Sequence, residues 1–184
     1  MLPIYVVNNF GQFNHLIHRM LRDLDIEVKM VPNTTPPTEM GNACRGIILG
    51  GGPSIDRTGR CRDYLELDIP VLGICLGHQL IAETLGGEIG PGTQGGYGGI
   101  DITIHNRDRI LSGYPDNIHV WASHADEVKR LPHGFTTLAS SSICEIEAMA
   151  SENKRIYGLQ WHPEVSHTEN GKLVYENFHR ICME

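Results

Sequence analysis

Four short runs, Ile4 to Val7, Ile26 to Val31, Ile47 to Leu49 and Val71 to Ile74, most constrain what this chain can fold into. Each is mostly apolar, rich in β-branched residues and followed by loop or helix signals, as in strands buried on both faces. Between the first two, Phe13, Leu16, Ile17, Met20, Leu21 and Leu24 recur on one helical face. Strands alternating with helices predict an α/β fold with an open, mostly parallel central sheet flanked by helices. After the glycine-dense stretch Gly86 to Gly99, the segments Ile100 to Ile104, Ile118 to Trp121, Thr136 to Ala139, Ile146 to Ala150 and Ile156 to Leu159 read as strands joined by short turns. Few helices separate them, so this part of a mixed sheet is expected to be antiparallel. Val174, Phe178 and Ile181 mark a closing helix, and Pro32 to Pro37 reads as a polar loop. With 184 residues and no linker or repeat, residues 1–184 are expected to form one domain.

Fifteen basic residues against twenty-two acidic ones give a net charge of -7, with no basic stripe to neutralise a phosphate backbone, so nucleic acid is not an expected partner. No stretch has the length of a membrane span, and the first residues lack the charged and apolar regions of a signal peptide. The five cysteines are odd in number, widely spaced and free of any C-x-x-C pair. Free thiols in a reducing cytoplasm are the expectation, one of them available as a nucleophile.

That nucleophile is picked out by Gly73-Ile74-Cys75-Leu76-Gly77-His78-Gln79, where an apolar strand enters a G-x-C-x-G turn and then a helix ending near Leu85. The flanking glycines let the chain turn sharply, which exposes the side chain between them at the carboxyl end of the strand. A helix N-terminus also favours negative charge on the sulfur. A buried structural cysteine is the competing reading, against which the paired glycines weigh.

Thiolate acyl transfer needs a base and a group that orients it. His162 and Glu164, in Trp161-His162-Pro163-Glu164 after the Ile156 to Leu159 strand, supply both if Pro163 keeps the segment extended and the two side chains on one side. A metal pair or two unrelated surface residues are the alternatives. Gly50-Gly51-Gly52-Pro53-Ser54 follows a strand and offers backbone N–H groups: Gly52 and Leu76 together would form an oxyanion hole. A phosphate-binding loop competes, but the P-loop lysine is missing, as is any G-x-G-x-x-G that opens a helix.

In this order, Gly50 to Ser54, Gly73 to Gln79 and Trp161 to Glu164 resemble the class I, triad-type glutamine amidotransferases, over nearly the whole chain. The resemblance implies that Cys75, His162 and Glu164 hydrolyse L-glutamine and that the ammonia goes to a synthetase. It also implies that Ser54, Gln79, Ser123, Ala125 and Asp126 line the glutamine site, with no metal and no cofactor held by this chain.

Two further segments are similar to the free-standing amidotransferase subunits of archaeal-type GMP synthases: Asn8 to Arg19, and Val120 to Val128 with its Ser123-His124-Ala125-Asp126. That similarity implies that the partner is a separate ATP-pyrophosphatase subunit, binding ATP, Mg and xanthosine monophosphate; its contact surface is expected to include the face bearing Tyr97, His124 and Asp126, since that face borders the glutamine site. One departure stands at Gln94-Gly95-Gly96-Tyr97-Gly98, where many relatives carry a Lys-x-Glu pair and this chain has Gln94 and Gly96. Subunits of anthranilate or aminodeoxychorismate synthase, a stand-alone γ-glutamyl hydrolase and a non-catalytic docking module are the other readings.

Overall fold

The computed structural model describes residues 1–151 and 153–184. Its strands are β1 (Ile4–Asn8), β2 (Val28–Pro32), β3 (Gly46–Leu49), β4 (Val71–Ile74), β5 (Glu88–Ile104), β6 (Asn117–Arg130), β7 (Phe135–Ser141), β8 (Ala148–Ser151) and β9 (Ile156–Leu159). The α-helices are α1 (Asn14–Asp23), α2 (Pro37–Ala43), α3 (Leu76–Thr84) and α4 (Gly171–Ile181). All nine strands join one sheet in the order β2-β1-β3-β4-β9-β8-β7-β5-β6. The five strands from β2 to β9 run parallel, and β8, β7, β5 and β6 continue the sheet through antiparallel pairings.

Successive side chains in β1 go to opposite faces, as the strand period of two requires. Ile4 and Val6 pack with Ile17 and Leu21 of α1 and with Val174 and Phe178 of α4. Tyr5 and Val7 pack on the other face, with Met40 of α2 and Leu80 and Ile81 of α3. Ile48, Leu72 and Leu159, in the middle of the sheet, are fully buried. Each such burial contributes about 1.5–3 kcal/mol, so the strands that end at the candidate site are the best anchored.

Three of the four early strands, the first helix and the closing helix lie where the sequence places them; β2 starts at Val28 rather than Ile26 and, at the edge of the sheet, is not buried on both faces, with Val31 its one buried residue. The glycine-dense stretch is strand from Glu88 onward: it opens β5, which pairs with β6 from Glu88 opposite Arg130 to Thr103 opposite Asn117, with irregularities at Glu88/Ile89 and Pro91/Gly96. β6 likewise runs on past Trp121 to Arg130. The polar loop expected over Pro32 to Pro37 is shorter, because Pro32 closes β2 and Pro37 opens α2. Proline suits both places: β2 is an edge strand, and the first helical turn has no use for the missing N–H.

Candidate active site

β4 stops at Ile74 and α3 starts at Leu76, so Cys75 alone makes the turn, with φ 53° and ψ −103°. A side chain at positive φ is strained, and here the strain sits on the cysteine itself. The glycines serve a different purpose from the expected one. A Cβ on Gly73 would lie 2.5 Å from the Gly77 carbonyl, and one on Gly77 would strike the Leu49 carbonyl, so both glycines let α3 sit tight against the strands. The Cys75 N–H donates to Leu159 O at 2.8 Å and thereby fastens the turn to β9.

His162 does not lie in an extended segment. β9 ends at Leu159, and His162 opens a turn closed by the Val165 N–H on His162 O at 3.4 Å. The turn still brings the two side chains together, with His162 Nδ1 2.6 Å from Glu164 Oε1. Tyr175 of α4 donates its hydroxyl to Glu164 Oε2 at 3.3 Å. The Phe13 ring meets the imidazole edge-on, 5.0 Å between centroids. Burial works against charge on His162, but hydrogen bonds to Cys75 and Glu164 and their negative charge outweigh it and push its pKa up to about 10.

The Gly50–Ser54 loop lies against His162 and Cys75: a Cβ on Gly51 would sit 3.4 Å from His162 Cε1 and 3.9 Å from Cys75 Cβ. Among the described residues, the N–H groups of Gly52 and Leu76 donate to no backbone carbonyl outside the regular elements. Cys75 forms part of the wall of two cavities. One, of about 250 Å³, is lined by His162, Gly51, Gly52 and the Phe10–Asn14 segment. The other, of about 460 Å³, is lined by all five residues expected around glutamine, Ser54, Gln79, Ser123, Ala125 and Asp126, together with Tyr97 and His124.

Within this second cavity most polar contacts run through the backbone of β6. Gln79 Nε2 donates to Asp126 O at 2.7 Å, and His124 Nδ1 lies 2.9 Å from the same carbonyl. Cys75 Sγ lies 3.6 Å from Ser123 O. The Asp126 side chain and Ala125 are exposed. Ser54 caps the short 3-10 helix Ile55–Arg57, its hydroxyl accepting from the Asp56 N–H at 3.3 Å. Among the described residues, no group of three or more His, Cys, Asp or Glu is placed to hold a metal ion.

Several residues at the site escaped the sequence reading. Gln160 Nε2 reaches Cys75 Sγ at 3.7 Å, and its Oε1 accepts from Gln79 at 3.2 Å. Thr168 links the His162 turn to β6, donating to His162 O at 2.7 Å while accepting from the Trp121 N–H at 2.9 Å. Asn14 is buried on the same helical face as Ile17 and Leu21. A polar residue in phase with an apolar stripe is the signal by which it could have been found.

Residues 5–182 match the family described as Glutamine amidotransferase class-I. The chain is 67% identical over 184 residues to a protein of Methanoregula boonei that is named as one of the subunits of glutamine-hydrolyzing GMP synthase, covering 100% of both. It is 56% identical over 182 residues to the protein of the same name from Archaeoglobus fulgidus, covering 98% of this chain and 99% of that one. A crystal structure from Thermoplasma acidophilum, described as that of a putative GMP synthase subunit, superposes with a TM-score of 0.94 at 37% identity, covering 100% of this chain and 94% of that chain. A glutamine amidotransferase of Thermotoga maritima shares the fold, with a TM-score of 0.74 at 21% identity over 89% of this chain and 76% of that one. With the family match spanning both the Cys75 turn and the His162–Glu164 pair, this chain belongs to the class-I glutamine amidotransferases.

Proposed function

We propose that this chain is the glutamine-hydrolysing subunit of a two-subunit GMP synthase, with Cys75, His162 and Glu164 as its catalytic residues. The observation that carries the chemistry is Cys75 at the head of α3, opening onto the Ser54–Asp126 cavity with the buried His162–Glu164 pair behind it. Glutamine lies in that cavity, and the Cys75 sulfur attacks its carboxamide carbon. The oxyanion is held by the Gly52 and Leu76 N–H groups. As the C–N bond breaks, protonated His162 gives its proton to the departing nitrogen, and ammonia leaves a glutamyl thioester on Cys75. His162, oriented by Glu164, then takes a proton from water; the hydroxide breaks the C–S bond, glutamate departs, and the protonated histidine and ionised sulfur are restored.

The destination of the ammonia is read from the relatives named as GMP synthase subunits, which match the chain from end to end. The partner is then an ATP-pyrophosphatase subunit that uses ATP and Mg to activate xanthosine monophosphate, which ammonia converts to GMP. The setting is the cytoplasm. Reconstitution with that subunit tests the whole reading. Cys75→Ala should abolish GMP formation from glutamine yet leave formation from ammonium salts intact. Equal loss of both reactions would show that the chain does more than release ammonia.

A further inference from the structure

Two consecutive carbonyls of the glycine loop are taken up by asparagine side chains, one from the segment that joins β1 to α1 and one from the first residue of α1. Asn9 Nδ2 donates to Gly50 O at 3.2 Å, and Asn14 Nδ2 donates to Gly51 O at 3.1 Å. The orientation of each amide follows from its partners. A backbone carbonyl only accepts, so nitrogen must face Gly50 O and Gly51 O. The second Asn14 hydrogen goes to Asn8 Oδ1 at 3.0 Å, an atom that itself accepts from the Phe10 N–H at 2.9 Å. Asn9 Oδ1 accepts from Asn33 at 3.0 Å and from the Cys61 thiol at 3.4 Å. Asn9 and Asn14 are both buried, so water does not compete for these contacts.

The space around the loop is shaped for the same arrangement. A Cβ on Gly50 would collide with the Asn14 amide, one on Gly11 with the Gly51 carbonyl, and one on Gly52 with the Asn9 carbonyl. In a trans peptide the C=O and the following N–H point in opposite directions, and no peptide among the described residues is cis. Holding Gly51 O on Asn14 therefore turns the Gly52 N–H away from α1. A plain glycine loop would have no such preference, because glycine tolerates either orientation of the peptide.

We propose that Asn14, supported by Asn9, is a positioning residue that holds the Gly51–Gly52 peptide in the orientation in which the Gly52 N–H can donate to the oxyanion formed at Cys75. The proposal rests on the glutaminase reading above. Asn14 touches the loop rather than the substrate, so its loss should weaken transition-state stabilisation and leave glutamine binding and the reactivity of the cysteine unchanged.

Three measurements on the full chain carrying Asn14→Asp test this, since a carboxylate has the same size but cannot donate to Gly51 O. The kcat for glutamine hydrolysis should fall by about tenfold or more, by analogy with the loss of an oxyanion donor, with KM little changed. Alkylation of Cys75 by iodoacetamide, which forms no oxyanion, should keep its rate. Affinity for glutamate γ-semialdehyde, whose adduct with Cys75 carries the oxyanion, should fall in parallel with kcat. An unchanged kcat, or alkylation that slows along with kcat, overturns the proposal. If Asn14→Asp does not fold, the same three measurements on Asn14→Ser decide it. Hydrolysis retained by Cys75→Ala is a separate outcome that would remove the glutaminase reading itself.

Discussion

Glu164 Oε1 stands 2.6 Å from Nδ1 of His162, two residues earlier in the chain, and both side chains are buried. The contact fixes which ring nitrogen carries the proton on the Glu164 side and leaves Nε2 for the sulfur. Glu164→Gln keeps the shape of the pair and removes its charge. Glutamine hydrolysis should then fall by about 10²-fold or more, in line with the loss of an oriented general base. Steady-state kinetics at saturating glutamine checks this, and a rate close to that of the unsubstituted chain would show that Glu164 does not orient His162.

The same pair makes stability depend on pH. His162 is raised from 6.5 to about 10, because hydrogen bonds and charge from Cys75 and Glu164 outweigh burial. The folded chain therefore holds a proton that the unfolded chain releases between these values. Stability from this group is complete below its unfolded pKa of 6.5 and is lost as pH rises through about 10. Denaturant titrations across that window should show the decline, and in Glu164→Gln it should be shallower. A decline of equal slope in both would assign the proton uptake to other groups.

Legibility in the sequence followed the range of the interactions. Ile4 to Val7, Ile47 to Leu49 and Val71 to Ile74 announce themselves because their burial on both faces is written in consecutive apolar residues. The first half of β5 could not be read this way: Gly90, Gly92, Gly95, Gly96, Gly98 and Gly99 have no local strand preference, and only pairing with β6 makes them a strand. Ser123 to Asp126 was legible as chemistry but not as strand, since these residues line a cavity rather than a core. The Asn9 and Asn14 contacts join residues 41 and 37 positions apart, a distance no local pattern spans.

Chemical labelling should separate Cys75 from the other thiols. Burial pushes Cys44 up to about 11 and Cys61 and Cys182 up to about 12, and it raises Cys144 further still. Cys75 borders both cavities at the site. A glutamine analogue with an electrophile at the amide carbon should modify Cys75 alone among the five free cysteines. Peptide mass spectrometry that finds the first label elsewhere would refute the nucleophile assignment.

Glu147 should report a cost of burial unconnected with catalysis. It is fully buried, accepts from the Ser141 hydroxyl at 2.7 Å through Oε1 and, among the described residues, has no partner for Oε2. Burial raises its pKa from 4.5 to about 7, against the Ser141 hydrogen bond and aided by the charge of Glu127. The stability linked to this proton is complete below 4.5 and lost as pH rises through about 7. Glu147→Gln, whose amide carries no charge to desolvate at any pH, should remove that loss and raise stability above neutral pH. Thermal unfolding at slightly alkaline pH tests it, and a lower midpoint in the variant would mean that the carboxylate is paired in solution.

Partner control should act through the mouth of the glutamine cavity, where the Asp126 carbonyl and side chain have separate roles. The carbonyl accepts from Gln79 at 2.7 Å and is engaged inside the cavity, while the side chain is exposed beside an exposed Tyr97. No ion pair holds the Asp126 carboxylate among the described residues. Asp126→Ala removes only the outward group and preserves the inner hydrogen bond. An isolated subunit that wastes little glutamine should be slow, and a synthetase subunit loaded with ATP and xanthosine monophosphate should raise hydrolysis by about 10-fold or more, equivalent to roughly 1.4 kcal/mol of transition-state stabilisation. In the Asp126→Ala chain that stimulation should fall by more than the basal rate does. Glutaminase assays with and without the loaded partner decide between the outcomes. Full turnover by the lone chain, unaffected by xanthosine monophosphate or by chorismate with their matching synthetases, would replace the subunit reading with a stand-alone hydrolase.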